Sequence, residues 1–131
     1  MYDVIIIGAG ASGLMAAAAA ASKGARVALL EHKDDIGKKI LATGNGRCNF
    51  SNLARPDDAY RGEHPEFVED ALREFSVEDT IEFFKEIGIY PLNRNGYLYP
   101  RSNQAQSVVD VLCMEAASLG VKIRQTNRLQ K

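Results

Sequence analysis

Residues 4–13 read Val-Ile-Ile-Ile-Gly-Ala-Gly-Ala-Ser-Gly, and this stretch decides the fold. Its continuous β-branched run predicts a buried parallel strand over 3–7. The three glycines that follow have the spacing of a dinucleotide-binding turn between a strand and a helix. Gly8 allows the tight turn, Gly10 lets the backbone approach a pyrophosphate, and Gly13 lets the helix lie close to the sheet.

The next residues complete a strand–helix–strand unit. An alanine-rich segment predicts a helix over 11–23, and its first amides, at Ala11 and Ser12, point at the phosphates from the positive end of the helix dipole. A second apolar run predicts a strand over 26–31 that ends in Glu31. A carboxylate at this place can accept hydrogen bonds from a ribose diol. It disfavours the 2′-phosphate of NADP, but it does not separate FAD from NAD.

The rest of the chain predicts an irregular segment followed by further helices and strands. Residues 37–52 lack periodicity and mix glycines, asparagines and cations, which is typical of a loop that something must order. The later elements are, in chain order, a helix over 65–75, a helix opened by a Ser76–Asp79 capping box, a hairpin over 89–100 that turns at Asn95-Gly96, a helix over 104–119 and a third parallel strand from 121.

The length predicts one domain, and the composition is typical of an ordinary soluble protein. The chain has 131 residues, 46% of them hydrophobic and 25% charged, with a net charge of −1. Because there is no basic excess, electrostatics does not support nucleic-acid binding. Cys48 and Cys113 cannot form a disulfide framework, and no metal-ligand spacing occurs, so we expect structural cysteines and no metal. The absence of a signal peptide and of a membrane-spanning stretch predicts a cytoplasmic protein with no membrane partner.

A longer motif resembles a known family. Residues 39–49, Lys-Ile-Leu-Ala-Thr-Gly-Asn-Gly-Arg-Cys-Asn, together with the N-terminal glycines and Glu31, resemble the BaiN-type, aminoacetone-oxidase-like flavoproteins, which are bacterial NAD(P)/FAD-dependent oxidoreductases. Residues 99–105, Tyr-Pro-Arg-Ser-Asn-Gln-Ala, resemble another signature of these proteins. The resemblance runs over the whole chain but over only the first part of the family's length.

This resemblance implies an α/β, glutathione-reductase-like Rossmann FAD-binding domain with a parallel sheet that is incomplete in this chain. Residues 1–131 would be the N-terminal portion of the FAD domain. The remainder of that domain and a substrate domain would be absent, and the remaining polypeptide would be needed to complete the sheet. We therefore expect the 131-residue segment by itself to be inactive.

Carried over by position, the resemblance also implies a set of cofactor-binding residues, and it assigns no catalytic residue. The turn residues Gly8, Gly10, Ala11, Ser12 and Gly13 would hold the pyrophosphate. Glu31 would bind the adenosine ribose, bordered by His32 and Lys33, and Leu129 would mark the backbone contact to adenine. The residues beside the ribityl chain and the flavin ring would be Lys39, Thr43, Gly44, Asn45, Gly46, Arg47, Cys48 and Asn49.

The chemistry of residues 43–49 agrees with this assignment. A flavin needs donors close to its ring and a cation or an amide where negative charge develops on reduction. Gly44 and Gly46 permit close approach, Asn45 and Asn49 supply amides, and Arg47 supplies a fixed fork of donors. The alternative reading is an irregular loop with a structural arginine.

The function predicted is that of an FAD-dependent oxidoreductase that transfers hydride through its flavin, with NAD(P)H as a candidate electron donor. By resemblance, the substrate would be a small molecule, either an enone-like compound that is reduced or a small amine that is oxidised. Two alternatives stay open. One is an FAD-dependent tRNA-modification flavoprotein, which a basic RNA-binding face would reveal, and the other is a non-catalytic, truncated FAD-binding fragment. We expect no nucleic-acid partner.

Overall fold

The computed structural model describes residues 1–54 and 59–125, which form a parallel sheet, an antiparallel sheet and the helices that connect them. Leu129 lies outside these residues. The elements are β1 (Val4–Ile7), α1 (Ala11–Ser22), β2 (Val27–Leu30), α2 (Lys38–Ala42), a 3-10 turn (Thr43–Gly46), β3 (Ser51–Asn52), α3 (Phe67–Glu74), α4 (Val77–Glu86), β4 (Pro91–Arg94), β5 (Tyr97–Pro100), α5 (Ala105–Ser118) and β6 (Lys122–Arg124).

The parallel sheet has the strand order β1-β2-β6. In register, Val4 lies beside Val27, and Ala28 lies beside Lys122. The strand–helix–strand unit and the third parallel strand predicted from the sequence are therefore present. Because β1 and β2 pair in parallel, their carboxyl ends lie next to each other, with Ile7 beside Leu30. The turn after β1 therefore lies beside the residues that follow β2.

One face of this sheet forms the core. Val27 and Leu29 are buried on the face that packs against α1, and α1 in turn packs against α5. Ile5 and Ile7 alternate onto the opposite face, where they are 61% and 64% exposed, and no described element covers them. The prediction of a buried strand over 3–7 was therefore wrong within the described residues, because Val4 and Ile6 are only partly buried and Asp3, Ile5 and Ile7 are exposed. The reason is the two-residue period of a strand, which sends alternate side chains to opposite faces.

Small residues bring α1 close to the sheet. Ala17, Ala18 and Ala21 are buried between α1 and its neighbours. A Cβ at Gly13 would overlap the carbonyl oxygen of Gly8. The glycine at position 13 is therefore required by helix–strand packing, as the sequence predicted.

The segment 37–52 is more ordered than predicted. It contains α2, the 3-10 turn and the short strand β3. Ile40 is buried, and α2 packs against α5, where a Cβ on Gly37 would lie 2.8 Å from Val109 Cγ2. Burial of one apolar side chain against a neighbouring helix thus gives this aperiodic stretch a helical turn.

The antiparallel sheet has the order β3-β5-β4. The predicted hairpin is present, with both Asn95 (φ 53°) and Gly96 (φ 92°) in the left-handed region that a two-residue hairpin turn requires. β3 was not predicted as a strand. It pairs through Ser51 with Leu98 and through Asn52 with Tyr97, and this joins the segment 37–52 to the hairpin.

Two acidic helices precede the hairpin. The predicted capping box is present, since Asp79 N donates to Ser76 Oγ at 3.0 Å and Ser76 N donates to an Asp79 carboxylate oxygen at 2.8 Å. In α3 no residue is fully buried, and Phe67 is 75% exposed. No helix within residues 1–54 and 59–125 is long and apolar enough to cross a membrane.

Candidate functional site

The turn between β1 and α1 has glycines for three different reasons. Gly8 has φ +97°, a conformation that favours glycine. Gly13 is required by packing. Gly10 has an ordinary extended conformation (φ −82°, ψ −172°), and a Cβ added there would meet nothing within 4 Å. The fold therefore does not require glycine at position 10, and the space in front of it is open.

Gly10 is also the N-cap of α1, and no side chain caps this helix end. The Gly10 carbonyl accepts the Leu14 amide at 3.0 Å. The amides of Ala11, Ser12 and Gly13 belong to the first turn, where an α-helix offers no internal acceptor. Because the positive end of the helix dipole lies here too, the turn can bind an anionic group at the open side of Gly10.

Glu31 links the two strand ends beneath this turn. Its Oε2 accepts the Ala9 amide at 2.7 Å, and its Oε1 accepts the amides of His32 and Lys33 at 2.8 and 2.9 Å. These donors, led by Lys33 and Ala9, hold the pKa of the Glu31 carboxyl below its usual range, although burial opposes them. Glu31 is therefore ionised at neutral pH, and its first observed role is to fasten the glycine turn to the end of β2.

The two residues after Glu31 are exposed. His32 Nδ1 lies 3.2 Å from Glu31 Oε1, and the His32 side chain is 60% exposed. The side chain of Lys33 is exposed as well. Both side chains follow Glu31 directly, and the Glu31 oxygens accept backbone amides. That His32 and Lys33 border a ribose stays a prediction.

The loop 43–49 has a largely left-handed backbone. Gly44, Asn45, Gly46 and Cys48 have φ values of 56°, 55°, 78° and 59°. Local hydrogen bonds hold it in this form, with Thr43 Oγ1 donating to the Ile40 carbonyl at 2.8 Å and the Cys48 amide donating to the Thr43 carbonyl at 3.0 Å. Non-glycine residues in this region cost about 1–2 kcal/mol each, so these hydrogen bonds, and not the intrinsic preferences of the residues, hold the loop in this conformation.

Two polar side chains of this loop have structural partners. Asn49 Nδ2 donates to the carbonyls of Ser51 and Leu98 at 2.9 and 3.0 Å, which ties the loop to β5. Arg47 Nε donates to the Gly44 carbonyl at 3.1 Å, and the Arg47 guanidinium lies 5.3 Å from the centroid of the Tyr99 ring. The amide donors of Asn49 are therefore already used within the fold.

Cys48 is a buried thiol. It is 5% exposed, and burial raises the pKa of its thiol, while a hydrogen bond with Thr43 partly offsets this. Cys113 is half-buried on α5, and burial raises the pKa of its thiol as well. Neither cysteine has the lowered pKa that a reactive thiolate requires.

The glycine turn and the loop line one cavity of about 730 Å³. This volume lies in the range of small-molecule sites. The predicted site residues on its wall are Gly10, Ala11, Ser12, Lys39, Thr43, Cys48 and Asn49. The other lining residues were not predicted as site residues and are mostly apolar: Met15, Ile40, Phe50, Phe75, Thr80, Phe83, Phe84, Val108 and Leu112.

The cavity therefore brings together two of the three parts of the predicted site. Glu31, His32 and Lys33 do not line it, and neither do Gly44, Asn45, Gly46 and Arg47. The aromatic side chains of the wall were not predicted as part of the site. Among the residues that the structure describes, the lining contains one cation, Lys39, and no carboxylate.

Comparison with known proteins agrees with this architecture. The family model described as the HI0933-like protein Rossmann domain matches residues 2–131. The 3-dehydro-bile acid delta(4,6)-reductase of Clostridium scindens is 54% identical over 125 residues, which are 94% of this chain and 31% of that protein. The ribosomal RNA dihydrouridine synthase of Escherichia coli K12 is 39% identical over 124 residues, again 94% of this chain and 31% of that protein. The chain thus spans about a third of the length of these curated relatives.

Solved structures show the same fold at low sequence identity. The 3-ketosteroid-delta4-(5alpha)-dehydrogenase of Rhodococcus jostii RHA1 has a TM-score of 0.71 and 17% identity, over 98% of this chain and 38% of that one. The THI4 protein of Thermovibrio ammonificans has a TM-score of 0.59 and 22% identity, over 95% of this chain and 38% of that one.

These matches confirm the predicted fold class, a Rossmann-type FAD-binding domain with a parallel sheet, and the resemblance drawn from residues 39–49. That residues 1–131 are the N-terminal portion of the domain stays a prediction. The chain belongs to the family of the HI0933-like protein Rossmann domain.

Proposed function

We propose that the protein is an FAD-dependent oxidoreductase that binds the pyrophosphate of FAD in front of Gly10. The observation that carries this proposal is the open space at a glycine that the fold itself does not require. A residue without a side chain at this point allows two negatively charged groups to reach the amides of α1. Gly8 and Gly13 have reasons in the fold, whereas Gly10 leaves open the space in front of the first amides of α1.

The remaining residues fit the other parts of the cofactor. Glu31 is buried and ionised, and a carboxylate has about four lone-pair directions, of which three accept backbone amides. One direction is left for a ribose hydroxyl. Lys39, Thr43 and Asn49 meet the same cavity as Gly10, so a ligand that extends from the turn along the loop would pass them.

When bound, FAD supplies a ring that accepts a hydride from a donor and passes it to an acceptor. The chain's own residues would hold the cofactor and exclude water, because the cavity wall is largely apolar. Lys39 would place a positive charge beside the ligand. We propose NAD(P)H as the donor and a cytoplasmic location, which the two free cysteines favour.

We propose that the acceptor is a carbon–carbon double bond conjugated to a carbonyl. One relative is named as a reductase of a dehydro bile acid and another as a dihydrouridine synthase. In both names the product gains two hydrogens, and uracil's reducible double bond is itself conjugated to a carbonyl. A conjugated carbonyl stabilises the charge that forms when hydride arrives at the distal carbon, so a single site could serve either substrate class.

Between these classes, we propose a small-molecule enone as the substrate. The 54% identical relative is named for a small molecule, a dehydro bile acid, and the net charge of −1 does not favour RNA binding. Ribosomal RNA is the second candidate, because two relatives at 39% identity are named for it. Anaerobic assays with a conjugated steroid ketone and with unmodified ribosomal RNA, each with NADH and NADPH, separate the two. Reduction of RNA alone would reverse our choice.

The cofactor site is tested by Gly10→Ala, with Gly62→Ala as its matched control. An added Cβ at Gly62 also meets nothing within 4 Å, and neither glycine has a positive φ. We expect both variants to keep the wild-type unfolding midpoint and Gly10→Ala alone to bind FAD at least about tenfold more weakly, a difference of about 1.4 kcal/mol. Full flavin content in Gly10→Ala, measured by absorbance at visible wavelengths, would refute the site.

A further inference from the structure

Two arginines gather around one tyrosine ring at the junction of the loop 43–49 and the hairpin. The guanidinium carbons of Arg47 and Arg94 lie 5.3 and 5.9 Å from the centroid of the Tyr99 ring. Each distance is within the reach of a cation–π interaction. We call these three residues the Arg47–Tyr99–Arg94 cluster.

The antiparallel register explains why Arg94 meets Tyr99. Leu92 lies opposite Tyr99, and Arg94 lies opposite Tyr97. Side chains two residues apart on a strand share a face, so Arg94 and Tyr99 are diagonal neighbours on one side of the hairpin. Arg94 is exposed and Tyr99 is half-buried, so the cluster lies at the surface.

The loop contributes Arg47 from the other side of the junction. A Cβ added to Gly44 would lie 3.1 Å from Tyr99 Cε1, so the loop backbone is in close contact with the ring. The Gly44 carbonyl accepts Arg47 Nε at 3.1 Å, which orients the guanidinium. Its terminal amino groups have no hydrogen-bond acceptor among the described residues.

The charges of this cluster are unbalanced. Within residues 1–54 and 59–125, neither Arg47 nor Arg94 forms an ion pair with a carboxylate. Two positive charges close to one ring repel each other, and an anion bound beside the guanidinium groups would relieve this repulsion. A planar guanidinium fork is the donor geometry that matches a carboxylate or a phosphate.

We propose that the Arg47–Tyr99–Arg94 cluster is a subsite that binds an anionic group, a carboxylate or a phosphate, carried by the molecule on which the protein acts. That this molecule is a substrate rests on the proposed function, whereas the anion site does not. The anion would come either from the acid group of a small molecule or from a nucleotide phosphate. Arg47 belongs to the loop whose Thr43, Cys48 and Asn49 line the cavity. The cluster would therefore hold the charged end of a molecule whose uncharged part lies at the cavity.

The test uses two pairs of probes that differ only in the anion. They are 3-oxo-4-cholenoic acid with its methyl ester, and uridine 5′-monophosphate with uridine. Dissociation constants are measured by calorimetry at low ionic strength, because screening weakens an exposed charge pair. The proteins are the wild type, Arg94→Gln, Arg94→Lys and the matched control Arg73→Gln. Arg73 is an exposed arginine on α3, beside Asp70, and its substitution changes the net charge equally.

We expect one anionic probe to bind the wild type about three- to tenfold more tightly than its neutral partner. Arg94→Gln should remove this difference, Arg94→Lys should keep part of it and Arg73→Gln should keep all of it. The pair that shows the difference identifies the source of the anion. The proposal is overturned if neither pair shows a difference in the wild type, if Arg94→Gln leaves it unchanged, or if Arg73→Gln removes it as well.

Circular dichroism of each variant shows that it is folded, and Arg94 is exposed on a hairpin, so its loss should not unfold the protein. The flavin absorbance of the same samples reports cofactor binding separately. A protein without flavin that still discriminates the anionic probe would refute the proposed function and leave the anion subsite standing.

Discussion

Replacing Glu31 with glutamine tests whether this carboxylate fastens the glycine turn to β2. Glutamine has nearly the same shape, but one of its terminal atoms is a donor. In its best orientation the carbonyl keeps the amides of His32 and Lys33, and the NH2 group then faces the Ala9 amide. Ala9 is fully buried, so its amide loses its acceptor without gaining water.

The magnitude follows from these three bonds. A hydrogen bond to a charged acceptor contributes about 1.5–3 kcal/mol, and a neutral one contributes about 0.5–1.5 kcal/mol. Losing one charged bond and weakening two others should lower the free energy of unfolding of Glu31→Gln by about 2–4 kcal/mol at pH 7. Glu82→Gln, at an exposed position on α4, is the control and should change it by less than about 0.5 kcal/mol.

The pH dependence has a definite sign. Since the folded-state pKa of Glu31 is lowered, its contribution is fully present above the unfolded-state pKa of about 4.3 and is lost as pH falls through the folded-state pKa. Urea unfolding at pH 7 and at successively lower pH should therefore show the gap between wild type and Glu31→Gln closing below about pH 4. A gap under about 0.5 kcal/mol at pH 7, or one that does not change with pH, would refute this role for Glu31.

Three further predictions concern the turn and the loop. Gly13→Ala should lower the free energy of unfolding by about 2–3 kcal/mol, because the new methyl group overlaps the Gly8 carbonyl; an unchanged urea midpoint would contradict this packing. Asn45→Val should cost about 1–2 kcal/mol at its φ of 55°, while Asn45→Gly should cost nothing, and equal midpoints for the two would show that the left-handed conformation is not required. Cys48 should react with iodoacetamide at pH 8 at least about tenfold more slowly in the folded protein than in urea, because its thiol is buried and its pKa is raised; equal rates would indicate an accessible thiol.

Several elements could be predicted from the sequence because their signals are local. The β1–α1–β2 unit follows from an apolar run, a glycine turn and an alanine-rich helix, which need no distant contact to be recognised. The capping box at Ser76 and the Asn95-Gly96 turn are equally local, since each depends on residues within one turn of backbone. The third parallel strand also followed from its apolar pattern after Gly120.

The cavity could be predicted only in part. Gly10 and residues 43–49 were assigned to one site by motif and resemblance, and the structure places several of them on one wall. The aromatic part of the lining combines Phe50 after the loop with Phe83 and Phe84 of α4. Nothing in the spacing of these residues connects them, because the helix that carries two of them is brought there by packing.

The sequence by itself determined the strand–helix–strand unit, the position of its glycines and the acid at the end of β2, because backbone conformation and hydrophobic period act over a few residues. Only the tertiary structure decided that Ile40 would be buried and so make a helix of an apparent loop. Only it decided that Ile5 and Ile7 are exposed and that the Glu31 carboxylate accepts backbone amides. It also decided that the guanidinium groups of Arg47 and Arg94 lie close to the Tyr99 ring. Each of these depends on which distant segment lies alongside, and burial and electrostatic interactions between such segments are fixed only when the chain has folded.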